Sequence, residues 1–357
     1  MRTLIALSVL LAAPLAAQQA DAHPTFTVGT ASAKRGETAY GELVVPPNSD
    51  PGTSIQIAVV HGAKPGPVVA FVAGSHGTEY ASVVALTRLI VRIDATKLSG
   101  TVIIVPLLNI ASFEQMTPHI NPVDRKGMNG GYPGNPAGTQ TERVVDQVAR
   151  FVVQPSDVIV DLHGGDLDED LRPYSYLTRT GNAAQDSAAR ALVMAFGLDH
   201  IIVRDIDVTN TASIRSLGGN GLARGKTVVV AEAGRAGLVL DADVNSLIDG
   251  CLNTLGALKM IARTPKGVAN PTYITAGTRV TADKGEMFYP TVARDTRVQK
   301  DQVVGYTTDY VGRRTGDIKS PVAGLVSFIR PVPSASPGAT LVNVAEILPN
   351  LPPYKKP

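Results

Sequence analysis

Between residues 54 and 262 the chain alternates short apolar runs with stretches whose apolar residues recur at helical spacing. Residues 54–60, 67–73, 101–108, 158–162, 201–203 and 226–231 read as strands. Val83, Val84, Leu86, Leu89 and Ile90 place a helix over residues 79–93, and the same spacing predicts helices over 141–153, 183–196 and 243–262. Strands that are apolar on both sides must bury both faces. The predicted fold is therefore α/β, a mixed, mostly parallel central sheet with helices on both faces. Residues 23–52 are mixed and rich in turn formers, and residues 109–139 read as a long Pro/Gly/Asn loop. Past Pro265 the helical period disappears, and short β-type segments punctuated by Gly and Pro predict a small C-terminal all-β domain. The expected organisation is a leader over 1–22, a catalytic domain over 23–264 and a small barrel-like or sandwich-like domain over 265–357.

The leader rests on Arg2, an apolar stretch over residues 4–17 and the small-residue sequence Ala20-Asp21-Ala22, with a cut near Ala17 as the other option. The stretch is shorter than the ~20 residues a membrane span needs, so it reads as a secretory signal peptide. The blander reading is a buried N-terminal helix. The expectation is a mature protein without a membrane span, exported to the periplasm or beyond. The formal net charge of +2, with no basic run, lacks the footprint of a nucleic-acid binder. Aromatic residues make up 5% of the chain and Trp is absent, which removes base-stacking platforms as well. The one cysteine, Cys251, permits no internal disulfide and sits in an apolar-periodic stretch as a core thiol.

Sheets of this kind bind ligands at the carboxyl ends of their strands. His76 follows the run ending near Ala73, His163 follows Leu162, and Glu232 follows Ala231. His76-Gly-Thr-Glu79 with a distant His163 is a two-histidine, one-carboxylate set. Such a set suits a catalytic zinc with a fourth position open to water, although other divalent metals accept the same donors. The alternative is that His76 caps a helix and Glu79 stabilises its first turn. Glu232 needs a partner if it is buried. It is either a general base beside a metal-activated water or a loop carboxylate paired with Arg235. Asp161, two residues before His163, either orients that histidine from behind or pairs with a neighbouring loop. The acidic run Asp166, Asp168, Glu169 and Asp170 reads as a solvated loop, with contact to substrate as the alternative. No G-x-S-x-G elbow, phosphate-binding loop or dinucleotide fingerprint is present.

Four segments in order resemble the succinylglutamate desuccinylase/aspartoacylase family, which is related to the zinc carboxypeptidases. They are the strand plus Gly-Ser-His-Gly-Thr-Glu ending at Glu79, the Pro-Val-Asp-Arg-Lys-Gly-Met-Asn-Gly-Gly-Tyr-Pro-Gly segment at 122–134, Val-Asp-Leu-His ending at His163, and Ala-Glu-Ala-Gly around Glu232. The resemblance implies one Zn²⁺ per chain on His76, Glu79 and His163, with Glu232 activating water and later protonating the leaving amine. It also implies a small β domain, here with lipoyl-type signatures but no evident carrier lysine, in a structural or access-shaping role.

Two departures stand out. The family's Asn-Arg pair is Asn129-Gly130 here, and a second family arginine falls on His119. Both losses argue against a small acylated amino acid with a free carboxylate. His119 and Asn129 remain candidates for a substrate oxygen or oxyanion, and Arg125, with Lys126 and Arg172, for compensation. The expected activity is zinc-dependent hydrolysis of an amide bond in a small-molecule or peptide substrate. The alternatives are a metallocarboxypeptidase and a non-catalytic binding protein that keeps the fold.

Overall fold

The computed structural model describes residues 23–357, so the leader expected over 1–22 lies outside the described residues. Residues 23–52 are more ordered than their composition indicates. They form β1 (Thr25–Val28), β2 (Ala31–Lys34) and β3 (Glu37–Val45). In β3 only Leu43 and Val45 are fully buried, too few to stand out as a period-2 pattern. The chain continues through β4 (Thr53–His61), β5 (Lys64–Ala73), α1 (Tyr80–Ile90), β6 (Ser99–Val105), α2 (Ile110–Glu114) and α3 (Gln140–Val148), which runs on as a π-helical turn over Ala149–Val153. Then come β7 (Val158–His163), β8 (Asp170–Leu171), β9 (Tyr174–Arg179), α4 (Ala183–Phe196), β10 (His200–Asp205), α5 (Leu217–Ala223), β11 (Thr227–Glu232) and α6 (Asp241–Ala257). Helix α6 stops five residues before its predicted end. Lys259 turns left-handed at φ 56°, and Met260 N–H closes back on Leu255 O at 2.9 Å, so the apolar residues beyond pack from a turn.

The C-terminal segment supplies β12 (Thr272–Ile274), β13 (Thr278–Thr281), β14 (Glu286–Pro290), β15 (Arg297–Val298), β16 (Val303–Thr308), β17 (Arg314–Lys319), β18 (Gly324–Ile329), β19 (Ser334–Ala335), β20 (Thr340–Ala345) and β21 (Ile347–Leu348).

Ten strands form the main sheet in the order β21-β12-β10-β9-β11-β7-β5-β6-β4-β3. The centre, β11-β7-β5-β6, is parallel. β9 inserts antiparallel to β11, while β10 and β12 run parallel to β9. The continuous apolar run of β5 shows why the sheet is covered twice. Val69, Phe71 and Ala73 face a layer built from α1, α4 and α6, whereas Val68, Ala70 and Val72 face one built from α3, α5 and the β1–β2 hairpin.

Strands β13–β20 form two further sheets, β13-β20-β18-β15 and β17-β16-β14-β19, around their own core of Phe288, Val326, Leu341 and Val342. The two parts are stitched together. β8 pairs with β18, and β12 and β21 complete one edge of the main sheet. Among the described residues no helix is long and apolar enough to cross a membrane.

Candidate active site

Because β5, β7 and β11 are parallel, their carboxyl ends share one edge. The turn after β5 is made by Gly74 at φ 67°, and it delivers His76 and Glu79 to that edge. His163 is the last residue of β7. Glu79 receives both histidines. His76 Nδ1 lies 2.7 Å from Oε1 and His163 Nδ1 lies 3.0 Å from Oε2. One donor atom from each residue falls within 4.8 Å of the others. Burial pushes the Glu79 carboxyl upward, but the two imidazoles outweigh it and hold the group at about 2. Burial lowers the His163 imidazole, and Asp161 with Glu79 more than reverses this, raising it well above its ordinary value. Asp161 Oδ1 sits 3.2 Å from His163 Nε2, on the side away from Glu79. It is thus placed to orient that ring.

Glu232 ends β11 in direct register with His163 on one side and Tyr174 on the other. Arg235 does not take it up, pairing instead with Asp170 at 3.4 Å. Burial raises the Glu232 carboxyl well above the usual range. His163 pulls it back, while Glu79, Glu169 and Asp161 push it further up. So much negative charge around two imidazoles is what a divalent cation would offset, and the donor set suits zinc. The residues present fit the metal.

The acidic run is not a solvated loop. Asp166 is 0% and Asp170 6% exposed. Asp166 accepts from the Thr78 hydroxyl and, at 3.0 Å, from the His119 backbone N–H. Asp168 Oδ1 holds His119 Nε2 at 2.9 Å, and Asp170 lies 3.3 Å from Arg294. The partners lie far away in sequence, so local composition misrepresents the segment. Both ring nitrogens of His119 are therefore spent on carboxylates, Nδ1 lying 3.3 Å from Asp166. Burial lowers this imidazole, but the Asp168 hydrogen bond and the charges of Glu169 and Asp166 raise it to about 9. Glu169 itself is pushed up to about 7 by burial and by Glu79.

Two cavities meet at this edge, and His76, Tyr176 and Glu232 line both. One, of about 170 Å³, descends along the sheet under α5; the other, of about 230 Å³, opens against the C-terminal sheets. Asn129 lines the first. Arg125 is exposed, at φ 58°, and lines neither cavity. Lys126 pairs with Glu142 at 3.0 Å and Arg172 with Asp199 at 2.8 Å, so neither is free to compensate for the absent arginines. Two residues the sequence did not single out, Tyr176 and Arg204, also line the first cavity. Their signal was slight, a tyrosine and an arginine on short strands with no motif around them.

A family model described as the succinylglutamate desuccinylase/aspartoacylase catalytic domain matches residues 65–257, more than half of the chain. The chain is 30% identical over 210 residues to N-alpha-acetyl-L-2,4-diaminobutyric acid deacetylase of Halomonas elongata, and the match covers 56% of this chain and 58% of that protein's length. Among solved structures, a succinylglutamate desuccinylase/aspartoacylase from Rhodobacter sphaeroides superimposes with a TM-score of 0.77 at 23% identity, over 88% of this chain and 96% of that one. The product-bound ectoine utilization protein of Ruegeria pomeroyi superimposes with a TM-score of 0.79 at 22% identity, over 90% of this chain and 99% of that one. At these identities the structural likeness speaks for the fold.

Proposed function

The chain belongs to the succinylglutamate desuccinylase/aspartoacylase family, and from that premise we propose that it is an exported, zinc-dependent hydrolase cleaving an amide bond of an N-acylated small molecule. The observation that carries this reading is the meeting of Glu232 with His76, Glu79 and His163 at the junction of two cavities. Cavities of this size favour a small acylated amine over a longer peptide. The curated relative's name, a deacetylase, supports the reaction type. The composition of residues 1–22 supports export.

In this reading His76, Glu79 and His163 hold the metal, with Asp161 fixing the His163 ring. Zinc, when bound, supplies a Lewis acid for the amide carbonyl and for water. Glu232 takes the proton of the attacking water and passes it to the departing amine nitrogen. Its high proton affinity suits the second half of that task, and cation charge beside it suits the first. Asn129 offers an amide donor to substrate at the cavity rim. His119, held between Asp166 and Asp168, orders the loop after His163.

The test is amine release from a panel of N-acyl amino acids and blocked peptides by zinc-replete protein. Release that stops with a chelator and in Glu232→Gln, while that variant keeps its zinc, supports the proposal. Substoichiometric zinc under replete conditions with no release would make the chain a binding protein instead.

A further inference from the structure

The Tyr-Pro-Gly end of the segment over 122–134 has no part in the reading above, yet it delivers a polar atom behind the site. Tyr132 is 2% exposed and packs in the apolar layer built from α3, α5 and the β1–β2 hairpin, with Val72, Val145 and Ile159. Its backbone is fixed from two sides. Tyr132 N–H donates to Arg215 O at 3.3 Å. Gly134, at φ 94°, lies so close to α3 that a Cβ there would stand 2.3 Å from Asp146 N. The ring is therefore held in place, and its buried hydroxyl has no hydrogen-bond partner among the described residues.

Asp161 enters the same layer. Side chains alternate along β7, so Asp161 shares a face with Ile159. Its register neighbours, Val72 of β5 and Val230 of β11, pack in that layer too. The carboxylate is 2% exposed, and apart from the 3.2 Å approach to His163 Nε2 its Oδ1 has no partner. An ionised carboxylate can only accept, and a protonated phenol can donate. Burial, and after it the charge of Asp161, push the Tyr132 phenol well above its ordinary value, so it keeps its proton. Two buried polar atoms in one apolar layer each cost free energy unless they serve one another. We propose that Tyr132 is a positioning residue whose hydroxyl donates to Asp161, directly or through one bridging water, and so fixes the carboxylate that orients His163. Its effect on zinc rests on the reading of His163 as a metal ligand, but the pairing itself is tested without metal.

The test is a cycle of Tyr132→Phe with Asp161→Leu, read in two ways. Phe removes the hydroxyl alone, and Leu keeps the branching of Asp but accepts nothing. In metal-free protein, Tyr132→Phe should lower the urea midpoint when Asp161 is present. It should raise the midpoint in Asp161→Leu, where the hydroxyl has lost its acceptor. In the zinc arm, affinity is read by competition against a chromogenic chelator. Tyr132→Phe should weaken zinc binding about three- to tenfold with Asp161 present, the size of one hydrogen bond, and change it less than about twofold in Asp161→Leu. A tyrosine that only packs would shift the midpoint and leave zinc affinity alone. Equal midpoint shifts in the two backgrounds, a midpoint raised in both, or zinc affinity unmoved by Tyr132→Phe would overturn the assignment. If the unsubstituted protein binds no zinc, the metal reading fails, and the midpoint cycle still decides whether Tyr132 and Asp161 are paired.

Discussion

Arg330 Nη2 lies 2.7 Å from Asp168 Oδ2, so a residue just past β18 grips the loop that follows the candidate ligand His163. The same guanidinium donates to Thr340 O of β20 at 2.9 Å and to Ser334 O of β19 at 3.1 Å, which ties it to both C-terminal sheets. Asp168 in turn holds His119. The C-terminal sheets thereby act on the site through one chain of charges. Arg330→Met removes one of the two cations beside the partly buried Asp168 carboxylate and leaves it His119 alone. It should lower unfolding free energy by on the order of 3 kcal/mol in urea titrations, and raise KM more than it lowers kcat. Unchanged stability would mean that Asp168 finds another partner.

Protons compete with metal at this site. Without metal, His163 holds a proton well above the ordinary imidazole range and Glu79 stays ionised down to about 2. Metal ligands must be deprotonated, so zinc affinity should fall as pH falls, and zinc uptake near neutral pH should release about one proton from His163. Calorimetry in two buffers of different ionisation enthalpy reads that proton directly. Identical heats in both buffers would contradict it.

His119 contributes stability of the opposite pH sense to a paired carboxylate. Its folded value of about 9 exceeds the unfolded 6.5. The contribution is therefore fully present below 6.5 and is lost as pH rises through 9. The difference in Tm between the unsubstituted protein and His119→Gln should be largest in mildly acidic buffer and should vanish in strongly alkaline buffer. A difference that is flat across this range would assign His119 a packing role only.

Asp161→Asn should leave the fold intact and weaken zinc binding about 10- to 100-fold, the usual effect of removing a carboxylate behind a ligand histidine. Competition against a chromogenic chelator measures this.

Gly74 makes the turn that delivers His76. At φ 67° a Cβ there would stand 2.8 Å from Leu107 Cδ1 and 2.9 Å from Leu107 Cα. Gly74→Ala should cost about 2 kcal/mol or more through backbone strain and the clash. It should also weaken zinc binding, because relief of the clash moves His76. Loss of stability with unaltered zinc affinity would show that the strain relaxes elsewhere.

Much of this was legible without coordinates. The buried strands announce themselves because both faces are apolar, and the carboxyl ends of parallel strands name His76, His163 and Glu232 as neighbours. What escaped the sequence has a common cause. β3 and β9 have polar positions that blunt their period. Asp166 and Asp168 look solvated because their partners, Thr78, His119 and Arg330, lie far along the chain. Arg204 could not be placed at all. β9 runs antiparallel to β11 and reverses the direction of β10, so this arginine enters the cavity from the side opposite to the strand ends.

The sequence by itself determined the local facts, namely which segments bury both faces and which donor types end them, because these depend on composition and period. Tertiary structure alone decided which charges meet. An ion pair is set by the register of strands and by contacts between distant loops, and neither is written in the residues that form it.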